Sequence, residues 1–278
     1  MGRLQGKAAI VVGAGSIAPG WGNGKAAAVA FAREGAKVLV VDACEDAAQA
    51  THEVIRGEGG ASEAFTADAT RDGDMAAMVR RCVERFGGLQ VLHNNVGVMT
   101  PGDLCELSEE DWDRTVTVNL KGLFLACRHA LPVMVRAGGG AIVNVGSISA
   151  ERYLGMPAIA YSTSKGGVAA FTRALAAQYG PQQVRVNLLV PGIVDTPVLA
   201  SVADRIAAAT GQVAGPQARR RREQTVPMGR FGSAWDVAMA AVYLASDEAA
   251  YVNGAELVVD GGLACMAPQP QRSAAGAG

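Results

Sequence analysis

The stretch KAAIVVGAGSIAPGWGNGKAAAVAFAR, residues 7–33, decides how this chain folds. Lys7 to Val12 is a short apolar run of the kind that forms a buried strand. Gly13 to Gly24 follows, with five glycines in twelve positions. Lys25 to Arg33 is rich in alanine and reads as a helix. A strand, a glycine turn and a helix, in that order, aim backbone N–H groups and the positive end of a helix at a pyrophosphate. The next strand, Lys37 to Val41, ends at Asp42, about 20 residues beyond the last loop glycine, where a carboxylate can accept hydrogen bonds from both hydroxyls of an adenosine ribose.

Working outward, strands centred near Val38, Phe65, Val91, Val143, Val186 and Val258 alternate with Ala-rich amphipathic stretches. That alternation predicts an α/β chain with a doubly wound parallel sheet, a Rossmann fold, with helices on both faces. The strand runs lack strict polar alternation, as expected when both faces of a sheet are covered. A chain of 278 residues accommodates one such domain, placed at residues 1–267. Residues 268–278 are Pro, Gln, Arg, Ser, Ala and Gly, and a disordered tail is expected there.

Composition excludes several classes of function. Half the residues are apolar and the net charge is −1, so no general field would recruit nucleic acid. No apolar run approaches the roughly 20 residues of a membrane span. Cys44, Cys82, Cys105, Cys127 and Cys265 are odd in number and unpaired in spacing, which predicts reduced thiols and a cytoplasmic location. His52, His93 and His129 form no ligand pattern with them, so no metal site is expected. The one charge run, Arg219 to Arg222, reads either as a solvated helix face or as a contact for an acidic substrate or carrier.

Tyr161, Ser162, Thr163, Ser164 and Lys165 carry the chemistry. On a helix, positions i and i+4 share a face, so the Lys165 ammonium can approach the Tyr161 phenol. A free tyrosine has a pKa near ~10. A nearby cation favours the phenolate, and bringing the group to neutrality takes roughly 4 kcal/mol of differential stabilisation. The product would be an acid and base suited to interconverting an alcohol and a carbonyl.

Together with strings downstream, these motifs resemble the short-chain dehydrogenase/reductase family over nearly the whole chain. Asn94-Asn95-Val96-Gly97 is similar to the family's turn after the fourth strand, and Val118-Asn119-Leu120 to the helix bearing its tetrad asparagine. Ile142 to Ser147 resembles the fifth strand with its terminal serine. Asn187 to Gly192, then Ile193 and Thr196, resemble the segment lining the nicotinamide, and Val259 to Gly262 the last strand and turn.

The resemblance implies a catalytic set of Asn119, Ser147, Tyr161 and Lys165. Tyr161 would exchange the substrate proton, Ser147 would donate to the substrate oxygen, and Lys165 would lower the phenol pKa and hold the nicotinamide ribose. Asn119 would hold a water leading to solvent. Cofactor contacts are expected from Gly13, Gly15, Ser16, Gly22, Asn23, Gly24 and Asp42, from Asp68 and Ala69 at the adenine, and from Asn95, Val96 and Gly97 beside the ribose. Pro191, Gly192, Ile193 and Thr196 join Tyr161 and Lys165 at the nicotinamide. Asp42, with Ala43 after it and Trp21 where NADP-using relatives often carry a base, points to NAD(H) over NADP(H). Lys25 is the main cation against that preference.

Three departures from the family stand out. Eight residues separate Gly13 from Gly22, an insertion around Pro19 and Trp21. Val12 replaces a threonine whose hydroxyl ties the glycine loop to the Asn95 turn. The Ser147 to Tyr161 spacing is one residue longer, which leaves Ser149 as a rival for the serine role. The reading is an NAD-dependent oxidoreductase acting on a secondary alcohol or ketone, in a homotetramer or homodimer. The substrate pocket is expected at Ser149 to Pro157 and under a lid from Pro197 to Gln224. The alternatives are a 3-oxoacyl-carrier-protein reductase using NADPH and a non-catalytic NAD-binding regulator.

Overall fold

A computed structural model describes residues 2–202 and 215–266. The expected tail at 268–278, and Ile206 in the middle of the expected lid, lie outside the described residues. Seven parallel strands form one sheet in the order β3-β2-β1-β4-β5-β6-β9. They are β1 (Ala8–Val12), β2 (Lys37–Asp42), β3 (Ala61–Thr66), β4 (Val91–Asn94), β5 (Gly140–Val145), β6 (Val184–Pro191) and β9 (Glu256–Val259). The short strands β7 (Val194–Asp195) and β8 (Gly232–Ser233) pair beside the sheet.

The period of two along each strand divides the core into two halves. Ala8, Ile10 and Val12 of β1, with Leu39, Leu92 and Ile142, face one side. There they meet helices α3 (Asp72–Phe86), α5 (Gly122–Arg136) and α6 (Ile159–Tyr179). Ala9 and Val11, with Val38, Val40, Val91 and Val143, face the other side. That face is covered by α1 (Asn23–Arg33), α2 (Glu45–Gly57) and a C-terminal helix at Ala234–Ala245. The small side chains of Ala26, Ala27, Ala28 and Ala30 let α1 pack closely, and all are buried.

A buried polar chain fixes α6 against the strands. Asn94 Nδ2 on β4 donates to Asn144 Oδ1 on β5 at 2.9 Å, Asn144 Nδ2 donates to Thr172 Oγ1 on α6 at 3.0 Å, and Thr172 Oγ1 donates to the Val168 carbonyl at 2.8 Å. Inside a core such a chain stabilises only one alignment of its elements, because any shift leaves donors unpaired. The strand order reverses direction between β1 and β4, and the carboxyl ends of the strands open there into a crevice, the position where doubly wound sheets bind ligands.

Candidate active site

The crevice is a cavity of about 670 Å³. It is lined by every expected cofactor contact from Gly13 to Thr196 and by Ser147, Tyr161 and Lys165. Asn119 stands behind the lining.

At one end the site is made of backbone. Gly13 has φ +77°, and a Cβ on Gly24 would stand 1.8 Å from the Gly13 carbonyl oxygen, so the crossing of α1 over the first turn requires glycine at position 24. Gly22 caps α1 without a side-chain bond, leaving the first-turn N–H groups for an incoming anion. The inserted residues leave the sheet and anchor elsewhere. Trp21 packs on Trp235 with ring centroids 4.7 Å apart, and Gly20 lies against Pro197. Lys25 Nζ sits 5.2 Å from the Trp21 ring centroid. Ser16 Oγ donates to the Ala18 carbonyl at 2.8 Å, within its own loop. The tie made by a threonine hydroxyl in the family is made here by Asn95, whose Nδ2 donates to the Gly13 carbonyl at 2.9 Å and whose N donates to the Val12 carbonyl at 3.0 Å.

Asp42 ends β2 facing this loop. Its Oδ2 accepts from Gly15 N at 2.9 Å and its Oδ1 from Cys44 N at 3.1 Å. A Cβ on Gly15 would meet Ala47 Cβ at 2.6 Å and Asp42 Oδ2 at 2.8 Å, so glycine is what lets the carboxylate close on the loop. Asp68 Oδ1 accepts from the N and Oγ1 of Thr70, and these bonds hold its carboxyl below the usual carboxylate range. It is a turn-forming acid as well as a lining residue.

At the other end the site is made of side chains. Tyr161 and Lys165 lie one turn apart on α6, and Ser147 follows the end of β5. Lys165 is buried, and its Nζ donates to the Val145 carbonyl at 2.8 Å and reaches the Val96 carbonyl at 3.5 Å. A Cβ on Gly97 would stand 3.2 Å from that Nζ, so glycine leaves the ammonium its space. Burial pulls the Lys165 pKa down to about 8. Burial pushes Tyr161 up, and the group pulling it back is the Ser147 hydroxyl, by hydrogen bond. The Lys165 ammonium is 6.0 Å from the Tyr161 ring centroid and is engaged by backbone carbonyls. Ser149 also lines the cavity, but its backbone N donates to Ser147 Oγ at 3.2 Å and positions that serine.

Asn119 sits in a π-helical turn, Thr117–Lys121, between α4 (Glu109–Val116) and α5. Single π turns of this kind are frequent at functional sites. Its Nδ2 donates to the Val98 carbonyl and to Ser164 Oγ, each at 2.9 Å, and its Oδ1 accepts from Val98 N at 2.7 Å. Ser164 Oγ in turn donates to the Tyr161 carbonyl at 2.7 Å. The side-chain amide thus staples the turn after β4 to the catalytic helix. For the expected water it keeps only the second lone pair of Oδ1.

A family model described as enoyl-(acyl carrier protein) reductase matches residues 17–264. D-threitol dehydrogenase of Mycolicibacterium smegmatis is 38% identical over 260 residues, covering 94% of each chain. The 3-oxoacyl-[acyl-carrier-protein] reductase of Thermotoga maritima is 33% identical, over 94% of this chain and 99% of that protein. A short-chain type dehydrogenase/reductase from Mycobacterium marinum superposes with a TM-score of 0.85 at 30% identity, covering 95% and 97% of the two chains. The chain belongs to the short-chain dehydrogenase/reductase family. It is therefore an oxidoreductase of a family that binds a nicotinamide cofactor.

Three cleft residues of this short-chain dehydrogenase/reductase, Ile17, Cys44 and Thr70, carried no site signal in the sequence, and they line the cavity. Arg222, the last member of the arginine run, lines it too. Among the described residues no helix is long and apolar enough to cross a membrane.

Proposed function

We propose that the protein is an NAD(H)-dependent oxidoreductase that interconverts a secondary alcohol and a ketone. The convergence of Ser147, Tyr161 and Lys165 on one cavity, with the Asp42 carboxylate closing its adenosine end, is the observation that carries this reading. The glycine cradle fits a dinucleotide: Gly22 to Gly24 would receive the pyrophosphate, Asp42 the adenosine ribose, and Lys165 with Tyr161 the nicotinamide ribose. When bound, the nicotinamide supplies the hydride chemistry.

The chain's own groups manage the proton and the substrate oxygen. Ser147 donates to that oxygen, where negative charge gathers as the carbon–hydrogen bond breaks or forms. Tyr161 gives its proton in reduction and takes one in oxidation. A phenol whose pKa is raised by burial holds its proton at neutral pH but is a weaker acid, so both donating that proton and serving as a base require stabilisation of the phenolate. Lys165, already poorly solvated, is placed to supply it on turning from Val145.

Asp42 supports NAD(H), because its charge would repel a phosphate on the ribose it faces. Lys25, the cation that might have compensated, lies over Trp21. The test is absorbance assay of a panel of secondary alcohols and ketones with both nucleotides. Turnover favouring NAD(H) is expected, and turnover only with NADPH would move the reading to the carrier-protein reductase, the activity named for the Thermotoga maritima relative.

A homo-oligomer, tetramer or dimer, is part of the proposal. Phe124 on α5 and Val258 on the edge strand β9 remain exposed. Light scattering that gave a monomer at micromolar concentration would remove it.

A further inference from the structure

The four arginines of helix α7 (Pro216–Glu223) serve different ends. Arg219 is held by Asp195 through Nη1 at 3.0 Å and Nη2 at 2.7 Å, by Glu223 through Nε at 2.9 Å, and lies over the Phe231 ring. Arg220 and Arg221 are exposed. Arg222 is half-buried and lines the same cavity as Ser147 and Tyr161, with Leu199 and Thr225 beside it in the lining. Among the described residues no acid or carbonyl pairs with its guanidinium. Burial pulls its pKa below that of a free arginine.

A guanidinium does not escape burial by losing its proton. An unpaired, partly desolvated charge is costly, and the cost is offset when an anion completes the pair. Its planar fork of donors matches two oxygens of a carboxylate or similar oxyanion. The uncapped amides of α1 already suit a dinucleotide pyrophosphate, which leaves the Arg222 guanidinium in the cavity lining as a partner for a substrate anion.

We propose that Arg222 is an anion-recognition residue for the substrate, so that the alcohol or ketone this enzyme takes carries a carboxylate or comparable oxyanion. The proposal rests on the oxidoreductase reading above and deepens it.

Acetoacetate and levulinate, each against its methyl ester, separate the possibilities in assays of wild-type, Arg222→Ala and Arg222→Lys protein with both nucleotides. At least one acid should exceed its ester in kcat/KM by ~10-fold or more. Arg222→Ala should erase that preference chiefly through KM, and Arg222→Lys should keep part of it. A second readout does not depend on turnover. In NAD-loaded Tyr161→Phe protein the acid, and not the ester, should raise Tm, and adding Arg222→Ala should abolish the rise.

Equal losses for acid and ester would overturn the proposal. So would a rise in nucleotide KM of ~10-fold with the acid preference intact, which would assign Arg222 to the pyrophosphate. Neither binding nor turnover of either acid would also overturn it. Arg222-dependent binding of an acid by protein that turns over neither acid nor ester would leave the anion site standing and count against the secondary alcohol and ketone reading instead.

Discussion

The two ends of the cleft hold their geometry by opposite means. At the glycine-rich end, where the phosphates are proposed to bind, Gly13, Gly15, Gly22 and Gly24 act through the absence of a side chain, and the first-turn amides of α1 have no side-chain cap. At the catalytic end Asn119, Ser147, Tyr161, Ser164 and Lys165 act through side chains whose bonds are to one another and to neighbouring backbone. A backbone cradle depends on where the chain crosses itself, so residues can be inserted between the crossings, as those around Pro19 and Trp21 are. A side-chain cluster depends on each atom, so it admits no such change. Substitutions should therefore hit turnover at one end and nucleotide affinity or choice at the other.

The largest effect expected is at Tyr161. Tyr161→Phe keeps the ring and removes the proton donor, so turnover should fall by ~10² to 10⁴-fold with little change in nucleotide affinity. Near wild-type turnover, with chemistry rate-limiting, would dissolve the catalytic end as drawn. Ser147→Ala should cost more turnover than Ser149→Ala, because the Ser147 hydroxyl lowers the phenol pKa while the Ser149 backbone only orients Ser147.

Lys165 gives the same end a pH signature. Its pKa is about 8 when folded and 10.5 for the ordinary group. Below about 8 both states hold the proton and the folded chain bears the whole burial penalty, ~3 kcal/mol for that gap. Between the two values the unfolded chain binds the proton that the folded chain has lost, so stability rises with pH there. Lys165→Met removes the penalty and also leaves the Val145 carbonyl without its donor, a loss that does not vary with pH. Its stability relative to wild type should therefore be highest near pH ~7 and decline toward pH ~10, measured by denaturant unfolding. A difference flat across that range would show that the ammonium is not desolvated.

The phosphate end should answer in cofactor choice. Wild-type protein is expected to favour NAD(H) over NADP(H) in kcat/KM by more than ~10-fold, at least ~1.4 kcal/mol. Asp42→Ala should narrow that ratio, and adding Arg at Ala43 should narrow it further. The structure sharpens the test, because Asp42 also holds Gly15 N and Cys44 N. Asp42→Asn keeps an acceptor for the loop and deletes the charge. If charge excludes the phosphate, Asn should gain NADP use while keeping more NAD affinity than Ala. Identical behaviour of Asn and Ala would make loop geometry the determinant.

What the sequence made legible follows from the range of each interaction. Tyr161 and Lys165 are one turn apart, so helical periodicity suffices to pair them. The Gly13 turn, the Gly24 crossing and Asp42 also belong to one strand-turn-helix-strand unit. The doubly wound parallel sheet and the helices on both its faces followed from alternating elements, while the strand order came from the structure. The Asn94–Asn144–Thr172 chain was hidden, because it needs β4 beside β5 and α6 above them. The π turn at Asn119 is a matter of backbone bonding that no side chain announces. The arginine run was visible, but its members differ only by helix phase, and that phase selects Arg222 once Asp195 and the cavity are in place. The partners of the Lys165 ammonium were hidden for a similar reason: its proximity to Tyr161 along the helix is visible in the sequence, but its acceptors are the backbone carbonyls of Val145 at the end of β5 and Val96 in the turn after β4.

The smallest effect tests the insertion itself. Trp21 reaches Trp235 on the C-terminal helix and lies under Lys25, while Arg33 lies over Trp235 at 4.6 Å, so two cations and two indoles tie the loop to the scaffold. An aromatic pair contributes ~0.5–1.5 kcal/mol beyond its buried area. Exposed cation–π contacts contribute ~0.5–1 kcal/mol each. Only part of that total can reach the nucleotide, since Gly13, Gly22 and Gly24 keep their own packing without Trp21. Trp21→Ala should therefore raise the nucleotide KM by about 3- to 10-fold and change kcat by less than ~2-fold, with Trp21→Phe between it and wild type. An unchanged KM would make the insertion a surface elaboration with no part in the cradle. A fall in kcat approaching that of Tyr161→Phe would be more serious. The loop touches Pro197 through Gly20, at the start of the segment that leads toward Arg222, and such a fall would mean that the phosphate end sets the position of the substrate side. The two ends would then be one mechanical unit despite their different construction.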